Sequence, residues 1–163
     1  MEPDALESIY LSYYRELYLY ARSLCGDCAT ADDLVSETFL KALLSAELSG
    51  DSMKFWLFRV CKNLWLDELR KQKRHPSFAL HEQESSSEES ALQQILKTEQ
   101  NQRLYGAILT LPQPYREIVV LHYFGQTPLN KVAELYGISP GNARTLLYRA
   151  RIKLRNILKE GGE

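Results

Sequence analysis

The chain has 163 residues, 45% hydrophobic and 25% charged, with a formal net charge of −1. That allows one ordinary domain or two small ones with real cores, and no apolar run approaches the ~18–20 residues that span a membrane. The acidic start MEPDALESIY lacks the basic-then-apolar layout of a secretory signal, and three cysteines, an odd count, fit a reducing compartment better than a disulfide framework, so the cytoplasm is the expected location.

The near-neutral total hides a segregation. Residues 1–50 hold nine acids against three bases, 51–76 seven bases against three acids, 77–100 five acids against one base, and 128–163 seven bases against three acids. Two basic blocks alternate with acidic ones, so the total says little about what the surface attracts.

In chain order, residues 4–47 read as helix. Leu6, Ile9, Tyr10, Tyr13, Leu17, Tyr20, Ala21 and Leu24 recur at three- and four-residue steps. CGDCAT breaks the stripe, and Thr30 is the expected cap of a second helix, ADDLVSETFLKALLSA. LSGDS, residues 48–52, reads as a loop, and a third helix runs from near Met53 to Arg74, before Pro76. The following HPSFALHEQESSSEESALQQ is rich in Ser and Glu and poor in large apolar residues, as in a solvated linker. Helix resumes near Leu92 and stops at LPQP; Tyr115 to Tyr123 makes another helix, GQTP a turn, and LNKVAELY a short helix closed by Gly137. Ser139 caps a final helix with Pro140 at its first position, where a missing N–H costs nothing. With no convincing strand, the expected fold is all-α, two small helical domains joined by a flexible acidic linker.

Three stretches carry chemistry. LNKVAELYGISPGNARTLLYRAR has the layout of a helix-turn-helix, in which Val132, Ala133, Leu135 and Ile138 pack inward. Its last helix would present Asn142, Arg144, Thr145, Tyr148 and Arg149, with Ala143, Leu146, Leu147 and Ala150 on or near the packed side. Phosphates are neutralised by Arg and Lys, and base edges are met by Arg, Asn or Thr, so this layout suits DNA reading. The second stretch, Lys54 to Arg74, interleaves Phe55, Trp56, Phe58 and Trp65 with Arg59, Lys62, Arg70, Lys71, Lys73 and Arg74, a composition suited to single-stranded nucleic acid. Against that, Trp56, Val60 and Leu64 recur every four residues and are expected in the core, as are Leu57, Cys61 and Trp65. The third, DDLVSETFLKA, is an acidic amphipathic helix with Asp33 and Glu37 one turn apart and Leu34, Phe39 and Leu40 available for packing. Cys25 and Cys28 form a C-x-x-C pair, but no second ligand pair accompanies it among Cys61, His75, His81 and His122, and an interhelical loop is the favoured reading over zinc or redox chemistry.

DLVSETFLKA, then WLFRVCKNLWLDELRKQKR, then LPQPYREIVVLHYF, then LYRARIKLR, in this order and spacing, resemble bacterial RNA polymerase sigma factors of the sigma-70 family. The likeness is to the extracytoplasmic-function (ECF) class, which keeps only the second and fourth conserved regions. It implies region 2 at 1–75, an acidic linker at 76–92 and region 4 at 93–160. It implies a non-enzymatic transcription initiation factor without metal or cofactor. Its partners would be core RNA polymerase, through the β′ clamp coiled coil and the β flap, promoter DNA and, as is common in the class, an anti-sigma factor. Carried over residue by residue, Asp33, Leu34, Glu37 and Leu40 would dock on the polymerase. Lys54, Phe55, Arg59, Lys62, Asn63, Arg70, Lys71 and Arg74 would serve the −10 element, and Asn142, Arg144, Thr145, Tyr148 and Arg149 the −35 element. The sequence departs from the family pattern at Leu146, where a basic or polar residue is common, and at Asn142, where threonine is common. A stand-alone helix-turn-helix regulator is the competing reading; it accounts for the last forty or so residues and leaves the first domain idle. A third reading is an interaction module that titrates a partner through the acidic helix.

Overall fold

In the computed structural model, residues 3–44, 51–74, 92 and 94–161 are described. The expected loop over 48–52, apart from two residues that begin a helix, and the linker over 76–92, apart from Leu92, lie outside them, as do the side chain of Leu6 and all of His75 and His81. Among the described residues there is no strand, and no helix is long and apolar enough to cross a membrane. The chain divides into two compact units, Met1–Glu89 and Ser90–Glu163.

The first unit is three helices, α1 (Pro3–Cys25), α2 (Cys28–Leu44) and α3 (Asp51–Arg74), each packed on the other two. Leu17 to Ala21 of α1 are buried on every side, whereas Tyr10 is 42% and Leu11 74% exposed, so the predicted stripe is core only in its C-terminal half. Gly26, at φ 87°, turns the chain between α1 and α2. The cap of α2 is Asp27 rather than Thr30: its carboxylate accepts the Thr30 N–H at 2.8 Å and the Thr30 hydroxyl at 2.8 Å. Both residue types cap well, and the Asp three residues earlier starts the helix at Cys28.

On α3 the core register is Met53, Leu57, Cys61 and Trp65, with Phe58 beside it. Trp56, Val60 and Leu64 are only half-buried, contrary to expectation. Two adjacent four-residue registers are both apolar here, and only the fit against α1 and α2 selects between them. Phe58 meets Tyr20 edge to face, with ring centroids 5.3 Å apart, an arrangement worth ~0.5–1.5 kcal/mol beyond the area buried.

The second unit begins with a turn in which the Leu96 N–H bonds the Leu92 carbonyl. Thr98 then caps α4 (Glu99–Leu109) by accepting the Asn101 N–H at 3.0 Å, so the helix expected from Leu92 is broken at 96–98. α5 (Gln113–Val119) runs into a π-helical turn, Val120–Phe124, whose Val120 carbonyl accepts the Gly125 N–H at 2.9 Å. Gln126 follows at φ 50°, a region non-glycine residues seldom adopt, and the carbonyl of the next residue, Thr127, lies 3.0 Å from His122 Nδ1. α6 (Leu129–Tyr136) and α7 (Pro140–Gly161) complete the unit, and α7 packs against α4, α5 and α6.

Phe58→Ala should lower the stability of the first unit by ~3–5 kcal/mol, whereas Leu11→Ala, at a solvated site, should change it by less than ~0.5 kcal/mol. Urea unfolding followed by circular dichroism on the full chain checks this; equal effects from the two would overturn the packing described.

Candidate nucleic-acid interface

On α2, Asp33 and Glu37 are exposed and Leu40 is 55% exposed, all on one stripe of the helix. Leu34 is not part of it: at 6% exposure it packs into the unit, and its carbonyl accepts the Thr38 hydroxyl at 2.7 Å. The stripe extends instead to Leu44, 79% exposed and one turn beyond Leu40. The spacing 33, 37, 40, 44 could have identified Leu44 from sequence, but an apolar residue near a helix end gives no sign of facing water.

The basic block on α3 is divided. Lys54 does not project freely: its Nζ lies 2.6 Å from Glu16 Oε2, and the two side chains are only 22% and 20% exposed. It braces α3 against α1. Phe55 is half-buried with the Arg59 guanidinium 4.8 Å from its ring centroid, so one face of the ring is already covered. Asn63, Arg70, Lys71, Lys73 and Arg74 are exposed, and Lys62 is half-buried. Arg70 holds Asp67 at 2.5 Å in a solvated pair of a kind worth ~0–1 kcal/mol. Together Arg59, Lys62, Asn63, Arg70, Lys71 and Arg74 form a mostly basic surface on one helix.

In the second unit, Gly137 closes α6 at φ 65°, and the Ile138 N–H reaches back to the Ala133 carbonyl at 3.0 Å. The Gly137 N–H bonds the Glu134 carbonyl at 3.3 Å, and the two bonds together make a Schellman closure. Ser139 then accepts the Asn142 N–H at 3.0 Å and starts α7. The Tyr136 hydroxyl donates to the buried Glu117 carboxylate at 2.6 Å, tying α6 to α5. Ala143, Leu147, Ala150 and Leu154 are buried beneath α7, and Asn142, Arg144, Thr145, Tyr148 and Arg149 are exposed above it. Leu146 is half-buried and lines an apolar cleft of about 330 Å³ with Pro114, Ile118, Tyr136 and Ile138, which accounts for its apolar character. Farther along, Arg151 meets the Tyr123 hydroxyl and lies over its ring, and Lys153 Nζ lies 5.6 Å from the centroid of Tyr115. These two cations brace α7 on the rest of the unit.

A three-helix unit with a basic face on α3 thus precedes a helix-turn-helix unit with a polar and basic face on α7. Residues 9–75 match the model of sigma-70 region 2, and residues 101–154 match that of sigma-70 region 4. The chain is 28% identical to the ECF RNA polymerase sigma factor SigM of Bacillus subtilis, over 96% of each protein. It is 27% identical to ECF sigma factor SigL of Mycobacterium tuberculosis, over 99% of this chain and 93% of that protein. Its fold is similar to that of the sigma factor RpoE of Bartonella quintana, solved with the anti-sigma factor NepR, at a TM-score of 0.69 and 24% identity over 94% of this chain and 96% of that one. A TM-score of 0.66 at 21% identity, over 98% and 90% of the two chains, relates it to CnrH, solved with the cytosolic domain of CnrY. The chain belongs to the ECF class of the sigma-70 family. It is a transcription initiation factor that binds core RNA polymerase and promoter DNA. Both conserved regions are present, so the stand-alone regulator, which leaves region 2 unused, is not favoured.

The cysteines stand apart from these faces. Cys25 is half-buried with its thiol 3.2 Å from the Asp27 carbonyl, while Cys28 and Cys61 are buried, and all three are free. Among the described residues no group of three His, Cys, Asp or Glu is placed to hold a metal ion. Burial pushes the Cys25 thiol up to about 11 and the Cys61 thiol up to about 12. The stability due to these neutral thiols is therefore complete below their ordinary value of 9.0 and is lost as the pH rises through 11 to 12. At pH 8 iodoacetamide should alkylate Cys25 in the native protein on the order of a hundredfold more slowly than free cysteine. Mass spectrometry of the labelled protein checks this, and modification of Cys25 at the free-cysteine rate would overturn it.

Proposed function

We propose that this sigma factor works through three surfaces and performs no chemistry of its own. Asp33, Glu37 and Leu40, extended by Leu44, dock on the β′ clamp coiled coil. The face of α3 formed by Arg59, Lys62, Asn63, Arg70, Lys71 and Arg74, with Phe55, engages the −10 element. Asn142, Arg144, Thr145, Tyr148 and Arg149 on α7 read the −35 element in the major groove, and the second unit also meets the β flap. Region 2 takes in residues 1–75 and region 4 residues 93–160, with the acidic linker at 76–92 between them. The protein acts in the cytoplasm, and an anti-sigma factor holds it until it is needed; the similar fold of RpoE, solved with the anti-sigma factor NepR, supports this last part.

The observation that carries the reading is α7 itself. One side of it is a sealed apolar seam of Ala143, Leu147 and Ala150, and the other presents Asn, Arg, Thr and Tyr in its first turns. Early residues of a recognition helix reach base edges, and later ones meet phosphates or neighbouring surfaces.

Reconstitution with core polymerase, followed by mapping of transcript starts, tests the whole. Replacing both Asp33 and Glu37 by Lys should weaken core binding at least tenfold while leaving the helical circular dichroism unchanged, because both side chains are exposed. Unaltered affinity in a titration with core enzyme would remove the docking assignment.

On the DNA side, Arg144→Ala should relax the preference at one −35 position by ~1–3 kcal/mol, and Arg155→Ala should leave the preferred sequence unchanged. Selection from a randomised −35 library reads both outcomes; the same motif for wild type and Arg144→Ala would refute the assignment of α7.

A further inference from the structure

The exposed face of α7 is not uniformly polar. Gly141, Thr145, Tyr148 and Ile152 are spaced to share one stripe of the helix, with Tyr148 62% and Ile152 39% exposed. Thr145 sits at the centre of this stripe, and its hydroxyl does not face outward: Oγ1 donates to the Gly141 carbonyl at 3.1 Å, one turn back along the same helix. A threonine hydroxyl has one proton to donate, and here the helix backbone takes it. With Oγ1 engaged by the backbone, the methyl is the remaining heavy-atom group on Cβ of this exposed side chain. Gly141 contributes no side chain to cover it, and Tyr148 lies one turn ahead.

We infer that Thr145 reads a thymine through its C5-methyl group, with the Tyr148 ring extending the same apolar contact. The inference rests on the reading of α7 as the −35 helix and adds to it the kind of base read at this position. In the major groove thymine alone presents a methyl, and the methyl of a threonine is among the groups that meet it. The flanking Arg144 and Asn142 have donors to spend on purine edges; Thr145, its donor withdrawn, adds an apolar contact between them. Arg144 extends back toward the helix start, where its guanidinium comes within 3.8 Å of the position a side chain on Gly141 would take. The polar contacts and the apolar one therefore belong to the same two turns.

The test uses holoenzyme reconstituted from the full chain and core polymerase, on a promoter recovered from the randomised −35 library. Each −35 thymine, on either strand, is replaced in turn by deoxyuridine, which removes the methyl and nothing else. One position should lose about fourfold in holoenzyme binding, the factor for burying one methyl. Thr145→Ser, which keeps the hydroxyl and loses the methyl, should abolish the difference between thymine and uracil at that position. Thr145→Val, which keeps a methyl and loses the hydroxyl, should retain it. A selected element without thymine, no sensitivity to deoxyuridine at any position, or full sensitivity persisting in Thr145→Ser would each overturn the contact. Loss of sensitivity in Thr145→Val but not in Thr145→Ser would show that the hydroxyl does the reading. Arg144→Ala separates the two levels. If it relaxes a −35 position while the thymine test fails, the helix assignment stands and this contact falls; if it relaxes none, both fall.

Discussion

Helix α7 has to be the wall of a core and a surface for DNA at the same time, and the second unit is built around that constraint. Its inner face meets α4, α5 and α6, and does so through Ala143, Leu147, Ala150 and Leu154. Alternating small and large residues let three helices close on one without bulky side chains displacing the outer face. The rest of the unit then fixes where α7 begins. Gly137 in the left-handed region, the Schellman bonds behind it and the Ser139 cap set the direction in which the first turns point. The Tyr136–Glu117 hydrogen bond does similar work across α6 and α5. An unpaired Glu at 7% exposure would be costly, and the phenol both satisfies it and holds the helix preceding the turn in register.

The first unit solves a related problem with different means. α3 must be core along Met53, Leu57, Cys61 and Trp65 and polar or basic along Arg59, Asn63 and Arg70, and two aromatic pairs help hold the three helices together. Tyr20 against Phe58 fixes α1 to α3, and Tyr10 against Phe39, with centroids 4.9 Å apart, fixes α1 to α2. Lys54 belongs to this scaffold. A cation at the start of α3 that is tied to Glu16 stabilises the helix pair and is spent as a contact for anything else.

What the sequence made legible was mostly local. Ser139-Pro140 and Gly137 announced their roles because capping and left-handed turns depend on a few adjacent residues. The two-unit, all-helical plan followed from periodicity interrupted by Gly, Pro and a Ser/Glu-rich stretch. Choices between competing local solutions were not legible. Asp27 and Thr30 can both cap, and two registers of α3 are equally apolar. Leu34 and Leu44 differ only in which is covered by a neighbouring helix. Non-local pairings such as Lys54 with Glu16 and Tyr136 with Glu117 had no signature at all, because each joins residues on different helices. The function came from the order of four motifs, each of modest specificity by itself, while the faces that carry it came from burial.

The aromatic seats of Arg151 and Lys153 alter how the charge of α7 should be counted. Six basic residues lie between Gly141 and Lys159 with no acid among them, and a naive tally would assign each to a phosphate. Two are instead laid over Tyr123 and Tyr115. DNA binding releases roughly one condensed counterion for each phosphate that a protein neutralises, and the logarithm of affinity falls in proportion as salt rises. A helix that has already committed part of its charge to its own fold releases fewer ions than its sequence suggests. Its grip on promoter DNA should accordingly be less sensitive to the ionic strength of the cell, with more of the discrimination left to the base edges.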